Sequence, residues 1–293
     1  MADVILITVH GMGETPPDYA SDLGRRLRAN IGAHFDARVD LRAVFYQGIL
    51  KKNEQEVWRR VQHGSTVRYG ELRKFLLFGF GDAAGLENRK EDKGSVYELA
   101  QIEIAKTLLD AYAANGADTL LVLLVLLVLL SHSLGCQVLL SYIYDAQKAR
   151  SGLPVAAGVW RDIDHWSRTL QGRALTESEK SFLACSSALG WITTGCNIPI
   201  FVAAHKEMTI IPIRRPRPGF KWLNLYDPDD VLGWPLRPLS EGYLLLVEDR
   251  AVNVGHGALN FIVRSWNPLS HSGYWEDDAV IVPLASMLTQ LMH

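Results

Sequence analysis

Short apolar runs alternate along this chain with longer stretches that carry a helical repeat. Residues 4–9, VILITV, form a run of strand length, and residues 18–35 then place Leu23, Leu27 and Ile31 at helical spacing. Residues 41–46 read as a second strand and residues 54–62 as a polar helix with Val57, Trp58 and Val61. Residues 73–80 are aromatic and apolar, and Gly79 and Gly81 are expected to break them. A charged connection over 86–94 leads to a helix over 96–114, marked by Leu99, Ile102, Ala105, Leu108 and Leu109. An unbroken apolar run, 120–130, then enters a short polar turn, and an amphipathic stretch follows over 136–149.

The second half is less regular. Residues 152–172 hold Trp160 and Trp166 among charges. Thr176 and Glu179 form a capping box before Phe182 and Leu183. Residues 191–194 suggest a strand end, which 200–204 would extend or flank. Residues 214–219 are a basic loop, 222–226 a strand, 243–247 with 251–254 a last strand or hairpin, and 280–292 a terminal helix. Strands alternating with helices predict an α/β fold with a mostly parallel sheet covered on both faces. No linker or long repeat divides residues 1–293, so one domain is expected, with a cap or lid from 49–93, 151–180 or both.

Composition narrows the chemistry. Lys plus Arg number 30 and Asp plus Glu number 32, a balance that gives no electrostatic footprint for nucleic acid. The three cysteines, Cys136, Cys185 and Cys196, have no paired spacing, which points to a reducing compartment without a metal framework. The N-terminus carries an early acid, Asp3, and no basic segment, so no secretory signal and a cytoplasmic location are expected. Residues 119–144 lack any Asp, Glu, Lys or Arg, a length that could span a membrane. His132, Ser133, Gly135 and Gln137 interrupt that segment, so no stable span is expected.

Those interrupting residues carry the strongest signal. Ser131-His132-Ser133-Leu134-Gly135 places small residues two positions either side of a serine, between an apolar run and a helix. This is the layout of a nucleophile elbow, where strand and helix approach too closely for larger side chains. Upstream, His10-Gly11-Met12-Gly13 follows the first strand. Its backbone N–H at Met12, with that of Leu134, would supply the two donors an oxyanion hole needs. Downstream, Tyr226-Asp227-Pro228-Asp229-Asp230-Val231 offers an acid after a late strand. Ser270-His271-Ser272 offers a base near the C-terminus, with His256 as its rival. His10, Gly11 and His132 adjoin the proposed site and are expected to line it.

The order Ser133, Asp, His271 resembles that of α/β-hydrolases, in an esterase/lipase-like branch. His271-x-x-Tyr274-Trp275 is similar to the histidine loop of fungal-type triacylglycerol lipases. In those enzymes the acid precedes a valine by two and a proline by six, a register that Asp229 meets through Val231 and Pro235. The resemblance makes Asp229 the triad acid, with Asp230 in reserve. Ser131 departs from the glycine common at that position. The implied activity is hydrolysis of a small-molecule ester or lipid through an acyl-enzyme on Ser133, without metal or organic cofactor. A thioesterase or amidase would use the same triad, and a non-catalytic binding protein could share the fold.

Overall fold

The computed structural model describes residues 2–49, 51–64, 67–115, 126–204, 210–254 and 273–292. Its centre is a six-stranded parallel sheet of order β2-β1-β3-β4-β5-β6, where β1 is Val4–Val9, β2 Val39–Val44, β3 Leu126–His132, β4 Ala188–Thr194, β5 Lys221–Tyr226 and β6 Val247–Ala251. Every pairing is parallel. The chain steps outward from β1 to the edge at β2, then crosses back to β3 and proceeds the other way. The strand order therefore reverses between β1 and β3, and the crevice beyond their carboxyl ends is where open α/β sheets bind ligands.

Helices cover both faces. In chain order they are α1 (Ser21–Ile31), α2 (His34–Arg38), α3 (Lys51–Gly64), α4 (Gly70–Glu87), α5 (Val96–Ala114), α6 (Leu134–Arg150), α7 (Ile163–Gln171), α8 (Glu177–Leu183), α9 (Ile198–Ala203), α10 (Glu241–Leu246) and α11 (Asp278–Leu291). The alternation of side chains along β1 divides the core. Ile5, Ile7 and Val9 join the cluster built with α5 and α6, while Val4 and Leu6 join the one built with α1 and α11. All five are fully buried. At about 1.5–3 kcal/mol for each such side chain, β1 contributes on the order of a domain's whole net stability. The turn that leaves β1 is thus anchored to a strand whose apolar side chains are fully buried.

The α/β architecture with a mostly parallel sheet expected from the pattern is present, every described strand being parallel, with three local differences. Helix α4 runs unbroken through Gly79 and Gly81, because both glycines are contact positions. Gly79 makes room for the Met12 sulfur, and a methyl at Gly81 would lie 2.9 Å from Glu54 Oε1. Residues 243–246 belong to α10 and the last described strand begins at Val247. Residues 200–203 are helical, in α9, with Pro199 in its first turn. Of the long apolar run, residues 126–130 enter β3, and the remainder lies outside the described residues. No helix among the described residues is long and apolar enough to cross a membrane.

Segment 151–180, one of the two expected caps, packs elsewhere. Trp160 and Trp166 are buried in the α5–α6 core, with Trp160 set edge-on to Tyr142 at 5.9 Å. The basic loop is tied down rather than free: the Arg214 guanidinium donates to the Gln147 carbonyl and to the Ser151 hydroxyl, at the C-terminal end of α6.

Candidate active site

Ser133 stands between β3 and α6 with φ 51° and ψ −124°, a conformation that L residues rarely hold. Such backbone costs about 1–3 kcal/mol and persists only where its surroundings enforce it. The enforcing contacts are visible. The Ser133 N–H donates to the Thr194 carbonyl at the end of β4 (2.9 Å), and its carbonyl accepts from Cys136 N–H (3.0 Å). A methyl on Gly135 would lie 2.6 Å from the Val9 carbonyl oxygen and nearer still to that of His10, so only glycine lets α6 start against β1. Ser131, two positions before the serine, has its own reason to be there. Its hydroxyl accepts from the Trp191 indole (2.9 Å) and donates to Cys136 Sγ (3.2 Å), which satisfies three polar groups in a closed core.

The turn after β1 lies directly above the elbow. A methyl on Gly11 would come within 2.8 Å of Ser133 Cβ and 2.9 Å of the His132 ring. Leu134 opens α6, so its N–H belongs to the helix end that carries unsatisfied donors and positive dipole. Leu134 thus follows Ser133 at the start of α6, while the turn that holds Met12 approaches Ser133 through Gly11. His10 is buried and stacked on Tyr46 at 4.2 Å. Its Nε2 accepts from Tyr46 N–H, so Nδ1 is the protonated nitrogen and donates to the Gly11 carbonyl (2.8 Å). Burial lowers its pKa to about 4. His10 is a neutral brace for the turn.

A second brace comes from α4. The Gly13 N–H, at a φ of 93° that suits glycine, donates to Asp82 Oδ2 (3.0 Å), and Gln47 Nε2 donates to the same oxygen (3.4 Å). Glu54 from α3 is buried beside Gly81, the residue before Asp82. Its pKa is pushed up to about 8, first by burial and then by the neighbouring Asp82 charge. Burial also raises Asp82, to about 6.

The acidic loop after β5 separates its aspartates. Asp227 is buried and spent on the backbone, accepting from Asp229 N–H (2.9 Å) and Val254 N–H (2.8 Å). Asp229, favoured by the proline register, is exposed at the turn. Asp230 is buried: Oδ1 accepts from Leu232 N–H and Oδ2 from the Tyr274 hydroxyl, both at 3.0 Å. Tyr274 in turn accepts from Asp227 N–H (2.8 Å). A methyl at Gly195 would lie 3.0 Å from His132 Cε1, 3.1 Å from Tyr274 and 3.2 Å from Asp230 Oδ2, so these three groups converge on one glycine. His132 itself is held by the Thr194 carbonyl (3.1 Å) and hydroxyl (3.2 Å). His271 and His256, the two candidate bases, lie outside the described residues.

A cleft of about 530 Å³ opens at this reversal point, lined in part by His10, Gly11, Met12, Phe75, His132 and Trp275. Ser133 is fully buried beside this cleft, next to Gly11 and His132, which line it. Of the expected cap segments, 49–93 reaches the cleft through Phe75, whereas no residue of 151–180 lines it. Three participants were not evident as such in the sequence: Tyr274, the Thr194–Gly195 corner and Asp82. Tyr274 sits inside the histidine-loop pattern, and Thr194–Gly195 follows a strand end. Asp82 carried no local signal, because it is 69 residues from the glycine it holds.

No protein-family model and no curated protein matches the chain. Among solved structures, a cutinase-like protein from Cryptococcus sp. is similar over 99% of this chain and 94% of its own, at 11% identity and a TM-score of 0.40.

Proposed function

We propose that this protein is a serine hydrolase that cleaves carboxylic esters through an acyl-enzyme on Ser133. The observation that carries the reading is the strained Ser133 backbone at the mouth of β3, under a glycine turn and at the start of a helix. In this reading Ser133 Oγ attacks the ester carbonyl and passes its proton to His271. His271 then delivers the proton to the departing alcohol, and water releases the acid by the same route. The N–H groups of Met12 and Leu134 receive the oxyanion. Asp230 accepts two hydrogen bonds that fix its carboxyl in place, which suits an acid that orients imidazole and stabilises imidazolium. Asp230 therefore replaces Asp229 as the proposed triad acid. His271 precedes Tyr274, the donor to Asp230, by three residues, which favours it over His256.

The reading is tested by a fluorophosphonate probe followed by peptide mapping. The expected adduct is on the peptide holding Ser133, and an intact protein that takes up no probe overturns the assignment. A chain-length series of esters then separates an esterase, fastest on short soluble substrates, from a lipase. The acid is decided separately. Asp230→Asn is expected to lower kcat by about 10⁴ and Asp229→Asn by no more than a few-fold; the reverse order would return the role to Asp229.

A further inference from the structure

Beneath the glycine turn lies a buried pair of carboxyls that the proposed reaction does not use. We propose that Asp82 is a positioning residue for the turn of residues 11–13, gripping it through Gly13, with Glu54 backing Asp82 from α3. This rests on the acyl-transfer reading, since the turn matters only if Met12 N–H meets an oxyanion.

The geometry is specific. Asp82 Oδ2 takes two donors, Gly13 N–H at 3.0 Å and Gln47 Nε2 at 3.4 Å, from the segments that follow β1 and β2. Gly13 is the neighbour of Met12, so whatever fixes the Gly13 N–H fixes the peptide plane next to the proposed donor. The same helix meets Met12 directly, because Gly79 lies one turn before Asp82 and its missing side chain receives the Met12 sulfur. α4 thus holds Met12 and Gly13 together. An α4 that drifts by 1 Å would misaim the oxyanion donor, and displacements of that size cost on the order of 10²-fold in rate.

Glu54 completes the device. Asp82 and Glu54 are both buried, a methyl on Gly81, the residue before Asp82, would lie 2.9 Å from Glu54 Oε1, and two neighbouring ionised carboxylates out of water repel one another. With a proton on Glu54, Asp82 stays ionised for Gly13 and Gln47. The other charged or titratable groups around the pair do not neutralise it. Lys74 pairs with Glu14 at 2.6 Å, Lys51 acts on Glu14, and Tyr46 and His10 are buried and neutral. Loss of the Glu54 proton, near pH 8, pushes α3 and α4 apart and loosens the turn.

The test uses the full chain and a soluble ester, with kcat and KM measured from pH 6 to 10. Asp82→Ala is expected to lose about 10²-fold in kcat with KM within a few-fold. Asp82→Asn, whose amide oxygen can still accept from Gly13, is expected to recover most of that loss. Wild-type kcat is expected to fall above about pH 8, and Glu54→Gln to lack that limb. An unchanged kcat in Asp82→Ala, or an alkaline limb that survives in Glu54→Gln, overturns the proposal. If Asp82→Ala fails to fold, the pH profiles of Asp82→Asn and Glu54→Gln decide alone. Probe labelling separates the two failures. A labelled, active wild type with indifferent variants sinks only the positioning role, whereas an unlabelled, inactive wild type sinks the acyl-transfer reading and this role with it.

Discussion

Ser133→Ala is expected to remove fluorophosphonate labelling and to lower kcat by about 10⁴ to 10⁶, leaving the residual rate that an oxyanion hole and substrate binding support. Loss of activity alone would not separate a nucleophile from a structural serine, so a second variant at this position is informative. Alanine at 133 keeps the strained φ of 51°, whereas glycine adopts it freely. Ser133→Gly is therefore expected to be more stable than Ser133→Ala by about 1–2 kcal/mol while equally inactive. Both variants lack the hydroxyl, so the comparison cancels its hydrogen bonds and isolates the backbone strain. Chemical denaturation of the pair measures it. A glycine variant no more stable than the alanine one would mean that the strain is not there, and that the turn is an ordinary strand-to-helix connection.

How far this site was legible from sequence follows the range of the interactions that build it. The strand–turn–helix at Ser133 was readable because its determinants are local: an apolar strand, small residues at 131 and 135, and a helix behind them. The parallel sheet was readable for the same reason, since strands buried on both faces appear as continuous apolar runs. Gly79 and Gly81 misled because a glycine inside a helix has two meanings, a break or a contact. Only the positions of Met12 and Glu54 show which one holds. Residues 243–246 read as strand because four apolar residues in a row carry no period that separates strand from helix. Their Ser240 cap, which accepts from Tyr243 N–H, decides for a helix.

The proposed preference for Asp230 over Asp229 as the acid shows the same limit within one loop. Spacing to Val231 and Pro235 favoured Asp229, but spacing does not report which way a turn faces. The Asp227 side chain accepts from Asp229 N–H and turns the loop, so that Asp229 points to solvent and Asp230 meets Tyr274. The carboxyl pair under the glycine turn was beyond local reading altogether. It joins α3, α4 and the turns after β1 and β2, and no short motif spans four segments.

Gly135 is the position where the site and the fold depend on the same missing atom. A methyl there would meet two consecutive carbonyl oxygens at the end of β1, and neither can swing aside as a flexible side chain would. β1 lies between β2 and β3 with five fully buried apolar side chains, so α6 has to move instead. Gly135→Ala is expected to destabilise the protein by about 3 kcal/mol or more, at the upper end for overpacked cores. That corresponds to a fall in Tm on the order of 10 °C. Because α6 begins at Leu134, its retreat carries the Leu134 N–H and Ser133 away from the Met12 turn. Molecules that remain folded are expected to lose about 10²-fold in kcat. Gly70 supplies the control, since a methyl there meets nothing within 4 Å and its φ is not in the left-handed region. Gly70→Ala is expected to leave Tm unchanged or slightly raised, as alanine favours the helix it starts. Should Gly135→Ala melt with the wild type and keep its kcat, α6 would have room beside β1, and the close strand–helix approach that defines the elbow would not be what holds Ser133.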